Sequence, residues 1–346
     1  MNTQFSGKAN IINLEFTPTN QRKCAAALQK DRGLDSHATE AGLDEVADIV
    51  AGYMDPKGVQ ALHNLLTVDC PPSAIVIRNG PVDPNVKAPP LPGEDKREVK
   101  KTFVSENLAL GIARLMGQPF GFAPEQEDSL VNDLVPRADQ QARSSGIGSG
   151  DLGSHTEHGA LRYFWQGGDR APEALVITKI QSERNGEPGF YIQDSRFALY
   201  AMDTEEARRL KGPNFQHGLP QRFRPGRAKV WTDDAPILSM DPAGKLKVSA
   251  AFYGNTLRVV PGELEAACAL EAFARALRAT KVPVNLGPGD TIVIPNDVTL
   301  HGRNAYSPYF DEQGRASRWI QRVLVANSLA PFTGWETNIS RVYNPD

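Results

Sequence analysis

Apolar positions along this chain follow two periods. Between residues 39 and 66, Leu43, Val46, Ile49 and Val50 recur at three- and four-residue spacing, which predicts a helix. "SENLALGIARLMG" (105–117) repeats the pattern, with Leu108, Ile112 and Leu115 in one stripe, Ser105 placed to cap it and Gly117 to end it. A third amphipathic helix is predicted over 262–279, where Leu264, Ala267, Leu270, Phe273, Ala274 and Leu277 share a face. Elsewhere the apolar runs are short and bounded by Gly, Pro and Asn. "CPPSAIVIRNG" (70–80), "ALVITKIQ", "GFYIQDSRFALY", "GPGDTIVIPN" (strand at 291–294) and "SRWIQRVLVAN" read as strands. "VDPNVKAPPLPGEDK" is a proline-rich loop, and 138–154 is polar and rich in Gly and Ser.

The segment 203–245 is long, basic and rich in Pro and Gly, the character of a lid or binding loop. Many short strands joined by turns, with helices gathered early and at one late site, predict a mainly β fold with helical support, a barrel or jelly roll. No composition shift divides the chain, so one domain over 1–346 is expected. It would comprise a helical region 1–69, a core of about 70–330 and a lid insert of about 203–245.

Length and charge change this picture little. The 346 residues suffice for a sizeable core. Net charge is −3 and the pI is near 6.1, so no nucleic-acid partner is expected. No apolar run reaches the length of a membrane span, and the first residues carry no signal pattern. Cys24, Cys70 and Cys268 are too few and too far apart for a disulfide framework and suit a reducing cytoplasm.

With only six histidines, "GSHTEHGALRYF" (153–164) stands out. If 153–157 end a strand, His155 and Glu157 point to one side and Thr156 to the other. His301, in "NDVTLHGRNAY" just after the strand at 291–294, is the best third ligand. Two histidines and one carboxylate on one octahedral face favour non-haem Fe(II) and oxygen chemistry. The competing local reading pairs His155 with His158 on a helix as a zinc site. "GSGDLGS" upstream resists helix, and no third Cys or His has zinc spacing, so His158 is assigned to packing or hydrogen bonding. A His-x-Glu tripeptide is weak by itself. In "RASRWIQRVLV", alternation puts Arg318, Ile320 and Arg322 on one face and Trp319, Gln321 and Val323 on the other. Arginines on an inward face call for anions, and a dicarboxylic cosubstrate matches the guanidinium fork; a surface strand with solvated arginines is the alternative.

Taken in order, "AIVIRNGPVD", "APPLP", "IARLMGQPFGFAPEQEDSLVNDLVPR", "GSGDLGSHTE", "DSRFAL", "LGPGDTIVIPNDVTLHGRNAYSP" and "RWIQRV" resemble the clavaminate synthase-like branch of the Fe(II)/2-oxoglutarate-dependent dioxygenases, related to the taurine dioxygenase group. The resemblance covers roughly residues 70–325. It implies a double-stranded β-helix core, cupin-like in architecture, and iron bound by His155, Glu157 and His301. Arg318 would hold the distal carboxylate of 2-oxoglutarate, and Arg322 would lie near the cosubstrate or the substrate carboxylate. Glu125 and Gln126 fall where relatives hold the α-amino group of an amino-acid substrate.

Three departures stand out. "DEQGRAS" lengthens the spacing from His301 to Arg318; Arg315 lies nearer the usual distance but lacks the following Trp. Phe190 or Tyr191 stands where relatives often have a threonine that touches 2-oxoglutarate. "LKVSAAFYGNTLRV" lacks the acids that clasp a basic substrate, for which Asp233 and Asp234 could substitute.

The implied activity is oxidation, above all hydroxylation, of an unactivated C–H bond of a free amino acid or an amino-acid-derived natural-product intermediate. It would use Fe(II), 2-oxoglutarate and O₂. Glu157 occupies the position that a related halogenase leaves open for chloride, which argues for halide-free oxidation. Desaturation or cyclisation by the same machinery, a cupin-type metalloenzyme that does not use O₂, and a metal-free jelly-roll binding module stay open.

Overall fold

The structure, a computed structural model, describes residues 2–5, 7–29, 39–126, 129–140 and 146–345. Helices and strands both contribute, and the strands build two main sheets. The larger runs in the order Asn2–Phe5, Asn10–Glu15, Ala74–Arg78, Thr291–Pro295, Ala174–Gln181, Trp319–Ala326, Gln118–Phe122, Val342–Asn344 and Glu336–Ile339, with Asn132–Leu134 also pairing to Trp319–Ala326. The smaller runs Val282–Pro283, Phe190–Asp194, Thr299–Arg303, Leu152–His155.

The central strands of the large sheet are apolar on both faces. Along Ala174–Gln181, Val176 joins a cluster with Val46, Val50, Leu108 and Ile112 of the helices. Leu175 and Ile177 join a second cluster with Ile192, Ile294 and Leu324. A strand covered on both sides reads as a continuous apolar run, which is why these segments show little alternation. Helices Glu40–Tyr53 and Val104–Met116 cover one face. They cross closely at Gly111, where a Cβ would meet the Val46 carbonyl oxygen at 2.7 Å. The other face looks toward the small sheet.

Four local expectations are corrected. The helix expected over 39–66 is two helices, Glu40–Tyr53 and Pro56–Asn64. Met54 turns extended, Asp55 caps the second helix by accepting from Lys57 N, and Pro56 sits in its first turn. Ser105 lies inside the Val104–Met116 helix; the cap comes from Asp83, whose carboxylate accepts from Val104 N and Ser105 N. "GFYIQDSRFALY" is strand only to Asp194, which caps the helix Ser195–Tyr200. In Leu264–Ala279 the buried face is Ala266, Ala269, Ala272, Phe273 and Leu277, while Leu264 is 78% exposed. Small alanines let this helix lie close to its neighbours, so apolar size misjudged the stripe.

The 203–245 segment contains the helix Thr204–Arg209 and the strands Phe215–His217 and Leu238–Met240. Leu210, Phe215, Ile237 and Leu238 bury with Phe273 and Leu277 in a third cluster. His217 is buried there, its ring 3.0 Å from the Pro236 carbonyl oxygen. Burial, only partly offset by that bond, pushes its pKa from 6.5 down to about 4. The unfolded chain therefore takes up a proton first as pH falls. The contribution of this group to stability is full above 6.5 and is lost toward 4. Urea melts between pH 7 and 4 should show His217→Gln losing roughly 3 kcal/mol less stability than the parent across that window.

Candidate metal centre

His155 ends the strand Leu152–His155, and His301 lies in the strand Thr299–Arg303 rather than after its predecessor. The two are direct partners in the antiparallel ladder, with ring centroids 4.2 Å apart. Register thus joins two histidines 146 positions apart in the chain. His155 Nδ1 lies 2.9 Å from the Gly153 carbonyl oxygen. Donating there leaves Nε2 as the free lone pair.

Glu157 sits in the turn beyond the strand. Thr156 N donates to the Ala250 carbonyl at 2.9 Å. Glu157 N donates to Asn296 Oδ1 at 2.7 Å, while Asn296 Nδ2 donates to the Glu157 and Pro172 carbonyls at 3.0 and 2.7 Å. This clamp aims the carboxylate back at the histidines. Glu157 Oε2 lies 4.0 Å from His155 Nε2 and 3.9 Å from His301 Nε2. One donor atom from each of the three residues falls within 4.8 Å of the others. The carboxylate with two imidazoles suits one divalent ion of intermediate softness. Burial holds both histidines below the usual range, only partly opposed by Glu157, so they stand neutral as ligands must. Burial would raise the Glu157 carboxyl, but Arg322, His158 and His155 outweigh it and hold it at about 2.

Behind the triad lies a buried ionic cluster. Arg322 Nη1 is 2.6 Å from Glu157 Oε2, and its Nη2 donates to Glu125 Oε2 at 2.9 Å. Glu125 also meets His158 Nε2 and Arg222 Nη1, each at 3.0 Å. Desolvation would raise Glu125, yet Arg322, His158 and Arg222 drive it well below the carboxylate range. Glu125, Glu157 and His158 form a second close donor group. Two arginines already engage its Glu125 carboxylate, so it reads as an ion cluster. His158 takes a left-handed backbone, φ +54°, and packs against Phe122 and Phe223.

These residues sit in a cavity of about 940 Å³ that Ile177, Phe190, Tyr253, Arg318 and Ile320 also line. The strand Trp319–Ala326 is pinned from behind. Trp319 Nε1 and Gln321 Nε2 donate to Asp133 Oδ1 at 2.8 and 3.0 Å, and Gln321 also donates to Glu106. Arg318, Ile320 and Arg322 therefore face the cavity. Arg318 is buried, and no carboxylate among the described residues pairs with it; its guanidinium stands 5.6 Å from the Tyr306 ring centroid. Arg315 instead pairs with Glu94 at 2.7 Å. Phe190 faces the cavity and offers no hydroxyl.

Asp233 and Asp234 are exposed and do not line the cavity: they pair with Lys229 and Gln216, each at 2.8 Å. The Gln126 side chain and residues 141–145 lie outside the described residues. Sequence reading missed Asn296, which no periodicity marks, and also Lys179, Arg222, Arg224 and Arg303, which line the cavity. The prolines of "GLPQRFRPG" were the one available signal of an ordered turn there.

No protein-family model matches the chain. The L-asparagine oxygenase of Streptomyces coelicolor is 27% identical over 263 residues, 75% of this chain and 72% of that protein. Enduracididine β-hydroxylase of Streptomyces hygroscopicus is 26% identical over 296 residues, 79% of this chain and 82% of that protein. Clavaminate synthase 2 of Streptomyces clavuligerus is 24% identical over 286 residues, 82% of each. The solved structure of an asparagine oxygenase with Fe(II), hydroxyasparagine and succinate shares the fold at a TM-score of 0.79 and 21% identity, covering 96% of this chain and 99% of that one. The non-haem iron oxygenase OrfP with Fe and α-ketoglutaric acid does so at 0.78 and 20% identity, with the same coverage.

Proposed function

Since this chain is one of the clavaminate synthase-like Fe(II)/2-oxoglutarate-dependent oxygenases, we propose that it hydroxylates an unactivated C–H bond of a free amino acid or a small amino-acid derivative. The two sheets form the double-stranded β-helix of one domain spanning 1–346. One observation carries the site assignment. Three ligand-type side chains converge in a cavity where a buried arginine has no carboxylate partner. Such a guanidinium is costly unless an anion joins it. That is the fit expected of a ferrous ion and a dicarboxylate held side by side.

His155, Glu157 and His301 hold the metal. Iron held there would supply the activation of O₂ that inserts one oxygen atom into the substrate while 2-oxoglutarate becomes succinate and CO₂. The chain does the rest by positioning. Arg318 anchors the far carboxylate of 2-oxoglutarate. Arg322 balances Glu125 and braces Glu157 through Oε2, the oxygen that also faces the two histidines. Glu125 is placed to accept from a substrate ammonium group, with Gln126 beside it in sequence. The stretch 220–225, the part of the 203–245 segment that reaches the cavity, covers the substrate and excludes water. No described helix is long and apolar enough to cross a membrane.

The test is anaerobic reconstitution with Fe(II) and 2-oxoglutarate, followed by ¹⁸O₂ and mass analysis of succinate and product. One labelled atom in each is the expected result. A metal-loaded protein that turns over substrate with neither O₂ nor 2-oxoglutarate would sink the reading.

A further inference from the structure

The charge balance of the cavity points to a substrate class. Among the described residues six cationic side chains line it, against the carboxylates of Glu125, Glu157 and Glu187. Arg224 and Arg318 have no carboxylate partner among the described residues, so the wall carries an excess of positive charge. A ferrous ion and a 2-oxoglutarate dianion cancel each other, and a zwitterionic amino acid adds nothing, so the excess persists in the loaded site. The three carboxylates are also committed. Glu157 faces the histidines, Glu125 meets two arginines and is assigned to the substrate α-ammonium, and Glu187 holds Lys179 at 2.6 Å. None is left to clasp a guanidinium or a second ammonium. Asn255 and Thr256, also on the wall, are neutral.

One cation is set up to be read by a ligand. Arg224 donates from Nε to the Leu219 carbonyl at 2.7 Å, which fixes the plane of its fork. No acidic partner among the described residues takes its two Nη atoms. The stretch that carries it is held in place: Phe223, between Arg222 and Arg224, is buried with ring centroids 5.3 Å from Phe122 and 5.4 Å from His158. Ordering has therefore been met in the fold, and a planar fork at a cavity wall matches a carboxylate bidentately. We propose that the substrate carries a second carboxylate beyond its α-carboxylate, as an acidic amino acid does, and that Arg224 reads it. This deepens the oxygenase reading and rests on it.

The experiment uses the full-length protein with Fe(II) and 2-oxoglutarate under argon. Aspartate, glutamate, asparagine, glutamine, lysine and arginine are titrated while the iron–oxoglutarate charge-transfer absorption is followed. At least one acid should perturb the band about tenfold or more tightly than its amide, and lysine and arginine should be weakest. Arg224→Gln should remove that acid-over-amide ratio, and Arg224→Lys should retain part of it. A band that forms but is moved equally by acids, amides and basic amino acids, or by none of them, overturns the substrate assignment and leaves the oxygenase reading standing. An unchanged ratio in Arg224→Gln overturns the role of Arg224. Failure of the band to form at all removes both.

Discussion

Protein in which His155 and His301 are both alanine should purify without iron and should not regain it on anaerobic reconstitution. The parent should take up about one ion per chain. The two rings are ladder partners, and with Glu157 they supply every donor atom of the triad. Removing both leaves one carboxylate already engaged by Arg322 at 2.6 Å, which cannot hold a divalent ion alone. Succinate formation should fall by at least about 10³-fold. Metal analysis and Co(II) absorption report the loss independently of turnover. The rings sit within sheet whose backbone pairing does not depend on them, so the melting temperature of the metal-free proteins should differ little. Stoichiometric iron in the double variant would show that the metal lies elsewhere, and the assignment of all three ligands would fall with it.

Arg318→Met should raise the half-saturating concentration of 2-oxoglutarate by about 100-fold, equivalent to roughly 3 kcal/mol, with a smaller change in maximal rate. The reason is the loss of a bidentate, charge-assisted contact made by a buried guanidinium. A second readout separates this from a structural role. Arg318 has no carboxylate partner among the described residues, so an apolar chain of similar length removes a buried charge and strands no partner. The metal-free, cosubstrate-free variant should therefore be at least as stable as the parent. Arg315→Met offers the contrast, because it breaks the pair with Glu94 at 2.7 Å, neither residue lining the cavity, and should leave 2-oxoglutarate saturation unchanged. Loss of stability in Arg318→Met with unaltered saturation would refute the anchoring role.

The alternation in "SRWIQRVLV" already separated Arg318, Ile320 and Arg322 from Trp319, Gln321 and Val323, because side chains on a strand point to opposite faces whatever the strand packs against. The structure adds what each face meets: cavity on one side, Asp133, Glu106 and the helices on the other. Helix ends were less legible. The break at Met54 and the cap from Asp83 depend on a single proline and on a residue 21 positions away. The buried face of Leu264–Ala279 was misjudged because alanine carries little hydrophobic signal yet permits the closest packing.

Local periodicity, turn residues and a few motif-sized stretches marked several strands, Ala74–Arg78, Ala174–Gln181, Thr291–Pro295 and Trp319–Ala326 among them, and with the family resemblance singled out the His, Glu and Arg residues proposed to meet metal and dicarboxylate. Only tertiary structure decided how that equipment is arranged. It set His155 against His301 in one register, folded Glu157 back through Asn296, gave Arg322 to Glu157 and Glu125, and turned Asp233 and Asp234 away from the cavity. The physical reason is range. Backbone preference acts over a few residues, whereas ladder register, ion pairing and cavity lining are set by contacts between segments more than a hundred positions apart, which no local pattern encodes.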